Sequence, residues 1–244
     1  MKSSQNDVGP DLNEKDDRMK LETTVAPAAT MPNGLQGSEE GLYVIDQATE
    51  EIRLLGDDML PIRTIQTPTE NASGLTIGDG CFWTGSNAPA QARYRRSGDS
   101  SASSILKIEF DTGELLTRYP TPDGGGIHGL EWVDGLLWIT CFRPRGMKLV
   151  DPSDFRVLKE LDVPHERPHG LSWDGDGIWM SHTGLRLIVK YDVETGDEME
   201  RIQYADDAPA PHGLTGWKGD LWSCDANWPA PVHPDGPSFS RIVR

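Results

Sequence analysis

Five short segments of the chain repeat one pattern at one internal spacing, and that repetition leaves few folds open. The triplets Asn33-Gly34-Leu35, Ser73-Gly74-Leu75, His128-Gly129-Leu130, His169-Gly170-Leu171 and His212-Gly213-Leu214 share small or polar, glycine, leucine. Ten residues after the first member of each stands an aromatic: Tyr43, Trp83, Trp138, Trp179 and Trp222. Between triplet and aromatic lies a turn rich in Asp and Gly, as in Asp134-Gly135 or Gly175-Asp176-Gly177, which reads as a hairpin joining two short strands. A third strand closes on an Asp (LKIEFD to Asp111, MKLVD to Asp151, IVKYD to Asp192), and turn residues lead into a fourth. Each unit is therefore a four-stranded antiparallel sheet of about 40 residues, the size of a propeller blade. The chain is expected to be an all-β, five-bladed β-propeller.

The fifth unit reaches Arg241-Ile242-Val243-Arg244 after only three strands. The segment before Asn33 has the character of a fourth strand, so Leu21 to Ala26 is predicted to pair into the last blade and remove its open edge. The expected domains are an acidic, disordered tail over 1–18 and a single propeller over 19–244. Repeated aromatics and leucines are assigned to packing between blades, and the glycines to tight entry into each innermost strand.

A single site requires the blades to differ. In a propeller the innermost strand begins where the second strand ends, so two rings of side chains are expected at one channel mouth. The first is Asn33, Ser73, His128, His169 and His212; the second, three residues beyond each aromatic, is Asp46, Ser86, Cys141, His182 and Asp225. Four of the chain's six histidines fall in these rings. Three imidazoles from consecutive blades, His128, His169 and His212, suit a divalent metal with an open coordination position. His182, Asp46 and Asp225 are the candidate proton carriers. Strand alternation leaves open whether the rings turn into the channel or between the sheets. A Cys141/His182 nucleophile pair is a further option from adjacent equivalent positions.

The interval from Ser73 to His128 is 55 residues, against 40 to 43 elsewhere. The excess at Asn87 to Ser104, and a second long segment from Asn227 to Ser240, should rise over the same mouth as lids or specificity elements. Arg93, Arg95, Arg96 and Arg143 suggest an anionic or carboxylate-bearing ligand, with Asn87, Asn227 and Cys141 as further substrate contacts.

The HGL…DG.LW…D..TG blades resemble those of streptogramin (virginiamycin B) lyase-type proteins and the broader group of plant-type glutaminyl cyclases and gluconolactonase-like propellers, over Leu21 to Arg244. The lyase resemblance implies a metal held at the channel mouth by His and Glu that opens a lactone by elimination, with His128, His169 and His212 as the nearest matches; no Glu partners match. The cyclase resemblance implies an essential Glu after the aromatic of a Leu-Tyr pair, where Leu42-Tyr43 is followed here by Val44. Pro32 to Leu35 is similar to the PNGL of gluconolactonase-like proteins, without their full set of acidic ligands.

Charge bears on partners. The net charge is −16, from 39 acidic and 23 basic residues, so phosphate backbones and anionic membranes are repelled and neither is an expected partner. Met1 to Lys20 has no apolar run that reads as a signal peptide or anchor, and three cysteines without CxxC spacing read as reduced thiols of a cytoplasmic protein. The expectation is a metal-dependent lyase or hydrolase acting on a small molecule at the channel mouth, with a carboxylate or a lactone as the group it bears. Its rivals are a non-catalytic binding or scaffold propeller and a glutaminyl cyclotransferase-like enzyme. A lectin with equal sites in every blade is disfavoured by the unequal second ring.

Overall fold

A computed structural model describes residues 20–26, 29–228, 234 and 236–243. The expected tail over 1–18, and part of the segment from Asn227 to Ser240, lie outside the described residues. The described chain is an all-β propeller of five four-stranded sheets. The first strand, β1 (Lys20–Val25), precedes blade 1, which is β2 (Pro32–Gly37), β3 (Leu42–Asp46), β4 (Glu51–Leu55) and β5 (Pro61–Gln66). Blade 2 is β6 (Ala72–Gly78), β7 (Cys81–Ser86), β8 (Ser104–Glu109) and β9 (Leu115–Pro120), blade 3 β10 (Leu130–Val133) to β13 (Val157–Asp162), and blade 4 β14 (Pro168–Trp173), β15 (Ile178–His182), β16 (Leu187–Tyr191) and β17 (Glu198–Gln203). Blade 5 is β18 (Leu214–Trp217), β19 (Asp220–Asp225) and β20 (Ser238–Val243). As expected, β1 completes it: Leu21 pairs with Ile242 and Thr23 with Ser240, antiparallel. The strand begins one residue earlier than predicted and ends at Val25.

The core lies between the blades, in five buried apolar clusters. Tyr43 packs with Leu75 and Phe82 across blades 1 and 2, and Trp83 with Leu130 and Leu137 across blades 2 and 3. Trp138 packs with Leu171 and Met180, Trp179 with Leu214 and Leu221, and Trp222 against the cluster of Leu35, Leu42 and Phe239 that closes the ring. Each repeated aromatic thus faces the next blade, which is why the spacing recurs. Removing one such ring would cost about 3–5 kcal/mol.

At the axis the five inner strands meet backbone to backbone. A Cβ on Gly34 would sit 2.5 Å from the Gly74 carbonyl carbon, one on Gly74 2.9 Å from the His128 carbonyl oxygen, and one on Gly213 2.8 Å from Gly34 Cα. Gly129 and Gly170 would likewise overlap the carbonyls of His169 and His212. The missing side chain of every triplet is the space its neighbour's main chain fills. One residue is also inserted at the triplet: the β2–β3 register shifts between Pro32 and Gly34, the β6–β7 register between Ser73 and Leu75, and the β14–β15 register between Pro168 and Leu171. A bulge breaks the period-2 alternation, so the triplet's first residue and the residue three places on both turn to the axis.

That second axial layer stitches the blades together. Gln36 Oε1 accepts from Thr76 Oγ1 at 2.8 Å, Thr76 Oγ1 from Trp132 N at 3.1 Å, Glu131 Oε1 from Trp173 N at 3.0 Å, and Thr215 Oγ1 from Gly37 N at 2.8 Å. Burial pushes the Glu131 carboxyl up to about 8, so it is protonated at neutral pH and adds no charge to the axis.

A paired substitution tests the backbone ring. Gly129→Ala should destabilise by about 2 kcal/mol or more, because main chain must move. Gly216→Ala, whose Cβ would meet only Ser172 Oγ at 3.8 Å, should stay within about 0.5 kcal/mol. Denaturant midpoints compare the two, and equal midpoints would contradict the packing account.

Candidate functional site

The first ring converges as expected. His128 and His169 ring centroids are 4.6 Å apart and those of His169 and His212 4.9 Å, while Ser73 Oγ lies 3.0 Å from His128 Nδ1 and 2.7 Å from Asn33 Oδ1. Above the ring is a cavity of about 260 Å³, lined by Asn33, His128, His169 and His212 together with Gln47, Asn71, Asn87, Gln91, Ser103, Gly126, Arg167 and Trp228. A larger cleft of about 280 Å³, lined by residues such as Ser172, Trp173, Trp217 and Lys218, contains none of the ring residues.

The polar side chains at the mouth form one directed hydrogen-bond chain. Asn71 Nδ2 donates to the main-chain carbonyl of Asn87 at 3.2 Å, an acceptor that cannot be reversed. Asn71 Oδ1 therefore accepts from Gln47 Nε2, Gln47 Oε1 from Asn33 Nδ2 at 2.6 Å, and Asn33 Oδ1 from the Ser73 hydroxyl at 2.7 Å. With its proton spent, Ser73 Oγ accepts from His128 Nδ1–H at 3.0 Å. A neutral imidazole carries one N–H, so the chain fixes the tautomer: Nδ1 bears the proton and Nε2 presents a lone pair. The ring is held flat against Phe142, centroids 4.5 Å apart at 11°. Burial, with the Arg167 charge nearby, lowers His128 to about 3, which keeps the ring neutral with its single N–H.

His169 is 1 % exposed. Its Nδ1 has no hydrogen-bond partner among the described residues; the nearby His212 carbonyl already accepts from Gly170 N at 2.9 Å and Ser181 Oγ at 2.5 Å. Burial and the neighbouring His128, His212 and Arg167 hold His169 well below the usual imidazole range.

His212 is committed to the protein. Nε2 lies 2.7 Å from the Trp228 carbonyl, and Nδ1 3.0 Å from the Ala210 carbonyl, 3.3 Å from Ala226 N and 3.6 Å from Asp225 Oδ1. Burial lowers its pKa while Asp225 opposes the shift. When neutral, His212 donates from Nε2 to the Trp228 carbonyl and its Nδ1 lone pair accepts from Ala226 N–H; when protonated it has no lone pair, so in neither state is one left free for an ion. The expected centre of His128, His169 and His212 therefore does not fit a divalent metal. Among the described residues no group of three or more His, Cys, Asp or Glu is placed to hold one.

The second ring turns away from the cavity. Asp46 is fully buried and saturated by main chain: Oδ2 accepts from Thr30 N at 2.5 Å and Met31 N at 3.1 Å, and Oδ1 from Ala48 N and Thr49 N at 3.0 and 3.1 Å. Asp225 accepts from Ala210 N at 3.2 Å and Asn227 N at 2.8 Å. His182 donates from Nδ1 to the Glu166 carbonyl at 3.0 Å and accepts the Tyr191 hydroxyl at Nε2, 2.9 Å; burial lowers it to about 4. Cys141 is buried in the apolar cluster between blades 2 and 3, which pushes its thiol up to about 12. No hydrogen bond joins Cys141 and His182 among the described residues, so the nucleophile pair does not form. These residues fasten strand ends and loops.

Of the expected substrate contacts, Asn87 lines the cavity, but its amide bridges Ile127 O at 2.9 Å and Ile127 N at 2.8 Å. Asn227 lies beside the cavity-lining Trp228 in sequence, with a left-handed backbone at φ 55°. Arg143 is exposed, and only its main-chain N–H reaches Asp123, at 3.4 Å. Arg93 is neutralised, pairing with buried Glu50 at 2.7 Å and with both oxygens of Asp99, while exposed Arg96 reaches Glu50 at 3.5 Å and exposed Arg95 donates to the Asp99 carbonyl. These pairs, with Ser100 N on Glu70 at 2.9 Å, fasten the long loop, which supplies Gln91 and Ser103 to the cavity.

Sequence reasoning missed Gln47, Asn71 and Arg167. A signal was present in the residues two places before each triplet, Met31, Asn71, Gly126, Arg167 and Ala210: they differ between blades as a single site requires, and three of them line the cavity.

No family model matches the chain, and no curated protein matches it. Among solved structures it is similar to the Myxococcus xanthus glutaminyl cyclase, at 12% identity and TM-score 0.66 over 92% of this chain and 95% of that one. It is also similar to a streptogramin B lyase, at 21% identity and TM-score 0.52, covering 84% of this chain and 66% of that one, so the chain spans just under two thirds of the lyase structure's length. A luciferin-regenerating enzyme matches at 11% identity and TM-score 0.55, over 92% and 96%. At these identities the likeness establishes the propeller fold.

The commitment of His212 makes a checkable statement about metal. Protein purified without chelator should carry divalent metal well below one equivalent, unchanged in a His128→Ala/His169→Ala variant. One equivalent in the wild type, lost in the double variant, would restore the three-imidazole centre.

Proposed function

We propose that the chain is an enzyme, a lyase or hydrolase, acting on a small polar molecule in the mouth cavity by acid–base chemistry. The observation that carries this is the directed chain ending at His128: four side chains fix one tautomer and leave an Nε2 lone pair for the cavity. Orientation of an imidazole by a hydrogen bond to its other nitrogen is the arrangement a general base requires. A proton taken from a substrate C–H beside a carbonyl gives elimination; one taken from water gives hydrolysis. His169 lies beside His128 with Nδ1 unpartnered and serves as the second proton carrier. A bound substrate that brings negative charge raises both depressed imidazoles toward working pH.

The choice of an enzyme over a scaffold rests on that directed chain, since the similar propellers, a lyase and a cyclase among them, carry the fold alone. The reading replaces the expected metal with imidazole. Loop Asn87–Ser104, already fastened by Arg93, excludes water rather than supplying the ligand's counter-charge.

The test is turnover of a panel of small lactones, esters, amides and β-substituted carboxylic acids in D₂O, followed by proton NMR. Wild type should transform a panel member or exchange its activated C–H. His128→Gln should slow this by at least about 100-fold, whereas His165→Gln, at a histidine paired with Glu198 outside the cavity, should not. Absence of wild-type turnover across the panel, or full activity in His128→Gln, would contradict the proposal.

A further inference from the structure

The mouth cavity holds a charge that no described residue pairs with. Arg167 lines it, and among the described residues its side chain makes no hydrogen bond or ion pair. Among the described residues no Asp, Glu or Lys lines the cavity, although the chain carries 39 acidic residues. The other arginines near this mouth are occupied or outside: Arg93 by Glu50 and Asp99, Arg143 exposed.

Arg167 also costs the fold something. Its backbone is left-handed, φ 50°, a conformation that disfavours every residue with a Cβ and suits glycine. Its charge opposes protonation of all three ring histidines, so it does not help the mouth satisfy its own polar groups. A half-buried cation on strained backbone is the pattern of a residue placed for a ligand.

We propose that Arg167 is the specificity-determining residue of the cavity and that the ligand is a small monocarboxylate seated on its guanidinium. The planar fork matches the two oxygens of a carboxylate. One cation among uncharged amides and imidazoles balances one negative charge, which favours a monoanion over a phosphate dianion. The volume of about 260 Å³ is at the low end for ligand pockets, and its amide-rich lining suits a hydroxyl or carbonyl beside the carboxylate. This deepens the enzyme reading by naming the substrate class. It rests on the same cavity being the ligand site, and on no step performed by His128.

Binding separates the two. Glycolate and lactate, their uncharged amides glycolamide and lactamide, and inorganic phosphate are titrated into the full chain by calorimetry and thermal shift. Wild type should bind the two carboxylates, and the amides and phosphate at least about 10-fold more weakly. Arg167→Gly should melt at or above the wild-type temperature, since it relieves the left-handed backbone, yet lose carboxylate affinity by about 10–100-fold. Arg167→Lys, which keeps charge without the fork, should fall between. The proposal is overturned by no wild-type response to either carboxylate, by amides or phosphate binding as well as carboxylates, or by an Arg167→Gly variant that retains the response. An Arg167→Gly variant that melts below wild type would assign the residue to the fold instead. Carboxylate binding without turnover of any panel member would leave this assignment standing and remove the enzyme reading.

Discussion

Contact between main chains at the axis is the constraint on which the rest of the molecule depends. Five inner strands can close only if each gives up a side chain where the next one passes, and Gly34, Gly74, Gly129, Gly170 and Gly213 do so in turn. The interblade clusters of Tyr43, Trp83, Trp138, Trp179 and Trp222 supply most of the burial that stabilises the sheets, but they act at a larger radius. The glycines set how near the axis the strands come, and hence how closely the residues flanking them meet.

That closeness has a chemical consequence. Side chains at the first triplet position, from blades far apart in sequence, fall within hydrogen-bond or ring-contact range: Asn33 with Ser73, Ser73 with His128, His128 with His169, His169 with His212. A buried polar ring must satisfy itself, and here it does so unequally. On one side donation runs in a single direction from His128 through Ser73, Asn33 and Gln47 to Asn71; on the other, His212 is absorbed by the carbonyls of Ala210 and Trp228. Between them, among the described residues, His169 keeps an unpartnered nitrogen and Arg167 an unpaired charge. The asymmetry that distinguishes a site from a repeat arises in how these bonds terminate.

Much of the fold was legible from the chain alone, because triplet, turn and aromatic spacing are local and repeat five times. Closure by the first strand followed from the missing fourth strand of the last unit. The site was legible in part. Convergence of His128, His169 and His212 was expected, but the metal was not supported, since the bonds that engage His212 come from Ala210 and Trp228 carbonyls that side-chain identity does not reveal. Asp46, His182 and Asp225 turned away because they lie on unbulged second strands, whose alternation points them into loops and between sheets. The extra residue at the triplets is what turns both Ser73 and Thr76 inward, and no residue type announces it. Arg93 read as an anion site because its buried partner Glu50 is distant in sequence, and Arg167 was overlooked because its left-handed backbone is invisible in the letters.

The account turns on one proton, the one that Ser73 obliges His128 to keep on Nδ1. Nitrogen-15 NMR of imidazole-labelled protein near neutral pH reads it directly. The predicted result is a pyrrole-type shift at Nδ1 of His128 with a pyridine-type shift at Nε2, the two averaging together when Ser73→Ala removes the acceptor. A protonated Nε2 in the wild type, or a doubly protonated ring, would contradict the directed chain and with it the assignment of His128 as the base.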